Sequence, residues 1–100
     1  MKIKHQLLNF MYKCLLYEDV VISWGMKQIQ IYDSHVSFYV NGFNYQGEIV
    51  ILVEDDKLVL NSTNEYIGSS NNSEEAIKIL DNYIESNESK YRKLYDFIFQ

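Results

Sequence analysis

One hundred residues are the length of a single domain, and 47% hydrophobic with 23% charged residues is the composition of a folded chain rather than a disordered one. A lone cysteine, Cys14, excludes an intrachain disulfide and a cysteine-based zinc cluster. The net charge of −5 is uneven: residues 1–17 carry +3, residues 18–89 carry −10 and residues 90–100 carry +2, so an acidic body argues against direct nucleic-acid binding.

Residues 2–17 read as a helix. Ile3, Leu7, Met11, Cys14 and Leu15 recur at helical spacing and form an apolar stripe, widened by Leu8 and Tyr12. The start of the chain, Met1 to Phe10, has neither the apolar stretch nor the small-residue cleavage site of a secretory signal. No apolar run is longer than Ile49 to Val53, far short of the ~20 residues of a membrane span. With one free thiol, the expected location is the reducing cytoplasm, away from membranes.

Residues 20–62 read as strands. Residues 20–26 are expected to extend the first strand, with Gly25 marking a bulge. Asp33-Ser34, Asn41-Gly42 and Asp55-Asp56 are candidate two-residue turns, Asn-Gly being the strongest by type. Directly opposed residues in a hairpin share a face. The three turns pair Ile31 with Val36, Ile29 with Phe38, Val40 with Phe43, Phe38 with Tyr45, Val53 with Leu58 and Ile51 with Leu60. All of these fall on one face of a four-stranded antiparallel meander. That inner face also holds Ile49 and needs a cover of helices. The outer face is mostly polar, but Tyr32, Tyr39, Val50, Leu52 and Val59 interrupt it.

Residues 63–72 are rich in Ser and Asn and read as a loop. Ser73 is the expected N-cap of a second helix, with Glu74 and Glu75 in its first turn. Ile77, Leu80, Ile84, Asn87, Tyr91, Leu94 and Ile98 form its seam, with a kink or break expected near Asn87. Glu74, Asp81, Glu85 and Glu88 line one stripe of the same helix. The fold class is α+β: one α-β-β-β-β-α domain over residues 1–100, with both helices on one sheet face.

Chemistry-bearing patterns are sparse. The four glycines form no phosphate-binding loop, and no metal-ligand spacing of His, Cys or acids occurs. Glu54-Asp55-Asp56 reads as a hairpin tip rather than a cation site. Asp33, Ser34 and His35 are triad residue types, but adjacency in a tight turn does not create triad geometry. Cys14 reads as a packing residue, and His35 as a surface group opposite Tyr32. Neither catalysis, cofactor nor metal is expected.

The element order is similar to that of double-stranded-RNA-binding domains, but four strands, an acidic body and no lysine cluster at the second helix's start set the chain apart. Two features are left as contact surfaces for another protein: Tyr32, Tyr39, Val50, Leu52 and Val59 on the sheet, and Glu74, Asp81, Glu85 and Glu88 on the helix. The acidic stripe suits a partner with a basic surface. One Ala and one Arg against eleven Ile and nine Asn reflect A+T-rich coding, as in many phages and mobile elements. The expected function is therefore a small acidic binding module, one form being a phage- or mobile-element-encoded inhibitor of a host defence or nucleic-acid-binding protein. A homodimer packed through the outer sheet face and a small-ligand-binding protein are the other two readings.

Overall fold

The computed structural model describes residues 2–16 and 21–85. Helix α1 (Lys2–Leu16) is followed by a short 3-10 turn (Ile22–Trp24) and five strands: β1 (Lys27–Ile31), β2 (His35–Asn41), β3 (Gln46–Glu54), β4 (Lys57–Ser62) and β5 (Tyr66–Ser70). Helix α2 (Ser73–Glu85) closes the described chain. The strands form one antiparallel sheet in chain order. The architecture is α+β, with helices flanking a meander of five strands rather than four.

The additional strand lies in the segment read as a loop. Ser62 explains why the chain turns back at once: its Oγ accepts from the N–H groups of Asn64 (3.2 Å) and Glu65 (3.1 Å), and its own N–H donates to the Glu65 carbonyl. Tyr66 to Ser70 then pairs with β4 despite its Gly-Ser-Ser end. Ladder hydrogen bonds and cover from α2 override weak strand propensity there.

Residues 22–24 do not extend β1. They form the 3-10 turn, which ends at Gly25 in a left-handed conformation (φ 58°) and so swings Trp24 into the core. The bulge falls later than Gly25, between Lys27 and Gln30, where Gln28 takes φ 53°. The expected Ile29–Phe38 pairing is lost to it, while Ile31–Val36 holds.

The turn that looked strongest is not a two-residue turn. Asn41 pairs with Gln46, and residues 42–45 form the loop. Val40 therefore opposes Gly47 and Phe38 opposes Ile49, instead of Phe43 and Tyr45. Tertiary structure dictates the longer loop: the N–H groups of Asn44 (2.7 Å) and Tyr45 (3.1 Å) both donate to the Ile84 carbonyl at the end of α2. The slip leaves face parity intact, so Val36, Phe38, Val40, Ile49 and Ile51 are buried as expected. Asp55-Asp56 is the tight turn, with φ 51° and 62°, and it sets Val53 opposite Leu58 and Ile51 opposite Leu60.

The core joins those strand residues to Leu58 and Leu60, to Leu7, Phe10 and Cys14 of α1, to Trp24, and to Ala76, Ile77, Leu80 and Ile84 of α2. The buried stripe of α1 is rotated from expectation. Phe10 enters it, whereas Leu15 is 74% exposed and Leu8 and Tyr12 also face solvent. Ile29, Ile31 and Phe43, expected inside, are each nearly half exposed. For the two isoleucines the reason is cover: α1 lies across β2 and β3, α2 across β4 and β5, and β1 sits at the sheet's edge. Helix α2 begins one residue earlier than Ser73 in its capping: Asn72 Oδ1 accepts from Glu74 N–H (2.8 Å) and Glu75 N–H (3.2 Å). The expected kink near Asn87 and the seam positions Tyr91, Leu94 and Ile98 lie outside the described residues.

Candidate protein-binding surface

Strand alternation sends every second side chain away from the helices. On that outer side, antiparallel register lines up residues in rows across the sheet. His35, Leu52, Val59 and Ser69 form one row, with Tyr32 continuing it at the β1 end. Gln30, Ser37, Val50, Asn61 and Tyr66 form the next. Tyr39 lies between Lys27 and Glu48 in a third. The five sheet residues expected from the sequence thus share one face, with Leu52 and Val59 directly paired.

The arrangement is an apolar centre with polar-tipped aromatics around it. Val50, Leu52 and Val59 are half-buried by their neighbours, while Tyr32 and Tyr39 are nearly half exposed. Tyr32 stacks on His35 with ring centroids 4.4 Å apart, and its hydroxyl donates to Gln30 Oε1 (2.7 Å). Ser34 Oγ lies 3.0 Å from His35 Nδ1, so the imidazole is held between a ring and a hydroxyl. Tyr66, at 61% exposure, joins the face from β5. It was missed because its segment reads as a loop. The one signal for it was an aromatic followed by Ile at a strand-length distance from the Val59 row. Trp24 does not cover this face; it lies in the core on the helix side.

The acidic helix residues are placed differently. Glu74 pairs with Lys13 of α1 (3.5 Å). Asp81 Oδ1 accepts from Trp24 Nε1–H at 2.8 Å. Glu85 accepts from the Phe43 N–H and the Ser23 side chain. Burial, together with the Asp81 charge, pushes the Glu85 carboxyl above its ordinary range, partly offset by those two hydrogen bonds. Three of the four stripe residues therefore hold α2 to the rest of the chain. Glu88 lies outside the described residues.

Elsewhere, burial pushes the Cys14 thiol up to about 12. Tyr83 bridges Ser62 Oγ (3.1 Å) and Glu65 Oε1 (2.9 Å), and its hydroxyl is also shifted up, chiefly by desolvation. Among the described residues, no group of three or more His, Cys, Asp or Glu side chains is placed to hold a metal ion. No helix among them is long and apolar enough to cross a membrane.

Geometry thus defines a class, a five-stranded antiparallel α+β fold with two helices on one face and, among the described residues, an aromatic-aliphatic face with no helix over it on the other. No protein-family model matches the chain, and neither a curated protein nor a solved structure does.

Proposed function

We propose that the protein is a small acidic, non-enzymatic protein-binding module whose binding surface is the outer sheet face. The observation that carries this reading is the cluster of Leu52, Val59 and Val50, over which no helix lies among the described residues, ringed by Tyr32, Tyr39 and Tyr66. Tyrosines bring large, stiff contact area with a polar tip, and an apolar centre inside a polar rim is the anatomy of a protein interface. The acidic stripe of α2 contributes less directly. With Glu74, Asp81 and Glu85 engaged internally, the acidic body acts through long-range steering toward a basic partner. An inhibitor encoded by a phage or mobile element, occupying a basic surface of a host defence or nucleic-acid-binding protein in the cytoplasm, is the concrete form we favour.

The experiment is a tagged pull-down from host-type lysate at low and moderate salt, with wild type and Leu52→Glu in parallel. A partner retained by wild type and weakened at least about tenfold by Leu52→Glu supports the reading, since a desolvated central side chain is worth upwards of ~1.4 kcal/mol. A partner indifferent to Leu52→Glu removes it. Recovery of the bait alone, with a sedimentation dimer that Leu52→Glu dissociates, transfers the same face to a homodimer.

A further inference from the structure

A groove of about 440 Å³ runs along β4 on the outer face of the sheet. Leu52 and Val59, paired directly across β3 and β4, form an apolar floor. Tyr66 is the wall on the β5 side, and its hydroxyl donates to Ser69 Oγ (3.0 Å). Ser69 stands opposite Val59, one row nearer the Asp55-Asp56 turn than Tyr66 itself. The ring therefore lies along β5, beside the floor, instead of standing away from the sheet. The next row on the same face closes the groove with charge. There Glu54 faces Lys57 in register, and Asp55 begins the turn. Two residues of strand, about 7 Å, separate this row from Leu52 and Val59. Glu54 and Asp55 are exposed, and among the described residues neither holds an ion pair, even with Lys57.

We propose that this groove receives an arginine side chain of the partner protein, an assignment that rests on the outer face being the binding surface. An apolar floor that leads to carboxylates fits a side chain with an apolar stem and a cationic head. The stem lies over Leu52 and Val59 with the Tyr66 ring along its flank. The head meets Glu54 and Asp55 one row on. Arginine suits this seat better than lysine. Its planar fork takes a carboxylate through two parallel hydrogen bonds, and it is more weakly hydrated, so it enters beside apolar surface at lower cost. The net charge of −5 draws such a cation toward the chain. Lys57 is the opposing feature. It lines the same rim, where it repels an incoming cation and would attract an anion. Its removal therefore has opposite effects on the two kinds of ligand.

Titration of the full chain with N-acetylarginine amide, followed by amide NMR shifts, tests the assignment. Saturable shifts are expected at Leu52, Glu54, Val59 and Tyr66, with a Kd in the millimolar range. N-acetylcitrulline amide has the same shape without the charge and is expected to bind at least about fivefold more weakly. Glu54→Gln/Asp55→Asn should weaken arginine binding by a similar factor, and Lys57→Gln should strengthen it about twofold. All three positions are exposed, so the fold is kept. Glu75→Gln, which removes a charge from α2 on the other side of the sheet, should change nothing. No saturable shift below about 50 mM, equal binding of the two probes, or weaker binding in Lys57→Gln overturns the proposal. A captured partner that Leu52→Glu loses but Glu54→Gln/Asp55→Asn keeps also overturns it, while the binding face stands. Arginine that saturates the groove with no partner captured from lysate supports the anchor and counts against the partner reading alone.

Discussion

Gly42→Ala is the sharpest test of how the β2–β3 loop docks on α2. A Cβ at position 42 would lie 2.7 Å from the Ile84 carbonyl oxygen and 2.7 Å from Glu85 Oε1, and would also meet Ile84 Cγ2. The carbonyl cannot yield, because it already accepts the N–H groups of Asn44 and Tyr45. The loop must lift instead. Overpacking of this kind costs about 1–3 kcal/mol, and weakening two backbone hydrogen bonds adds about 1 kcal/mol each. A loss of at least about 3 kcal/mol is expected. With a urea slope of about 1.5 kcal/mol/M, the midpoint falls by at least about 2 M. Trp24, the sole tryptophan and fully buried against α2, reports unfolding by fluorescence. Gly68→Ala is the milder comparison: its Cβ would come 3.0 Å from Ile79 Cγ2, a side-chain methyl that must give by a few tenths of an ångström rather than a bonded carbonyl, and it should cost less than Gly42→Ala. A Gly42→Ala midpoint indistinguishable from wild type, or a larger loss for Gly68→Ala, would refute the docking argument.

Glu85 carries a pH signature. Its folded-state pKa lies above the ordinary value of 4.5, chiefly through burial, so the native state holds its proton more tightly than the unfolded chain. Stability is therefore lost as pH rises from 4.5 through the raised value, and Glu85→Gln should flatten that decline; equal pH slopes for the two proteins count against it. Cys14 should resist thiol reagents at neutral pH and label only as fast as the core opens, so rapid labelling of the native protein contradicts its placement. Trp24→Phe removes the hydrogen bond to Asp81, a part of its cost expected at about 1.5–3 kcal/mol in urea titration, and that part should disappear when Asp81 is already Ala, which has no acceptor, leaving only the loss of buried ring volume. Asp55→Gly relieves a left-handed conformation at φ 51° and should raise stability by about 0.5–1 kcal/mol; a loss points to a side-chain role for that aspartate.

Face assignment was legible in the sequence because it depends on alternation, which survives even a register error. The Asn41-Gly42 reading misplaced the β2–β3 loop, yet the slip was even, so Phe38 and Ile51 stayed inside. What alternation does not encode is which end of a helix a loop must reach. Gly42 serves close approach to Ile84, not a left-handed turn, and nothing local in the sequence distinguishes those uses. Tyr66 was hidden for a related reason: β5 is an edge strand held by its partners, and its own composition is that of a loop. The sheet half of the candidate surface was readable from periodicity alone. The helix half was not, since Asp81 and Glu85 meet Trp24 and Ser23 only through contacts that span most of the chain.

Sheet order that equals chain order also shapes how the molecule is assembled. Each strand pair closes across a loop of a few residues, so the meander's register is set by short-range encounters with little loop-closure entropy. The bonds of Asn9 to Ser73 and Trp24 to Asp81 are of another kind, bridging 64 and 57 residues. Bringing the first two dozen residues onto α2 is then, among the described residues, the longest-distance search in the folding of this chain. By the same logic α1 and the 3-10 turn are expected to dock after the strands have found their neighbours.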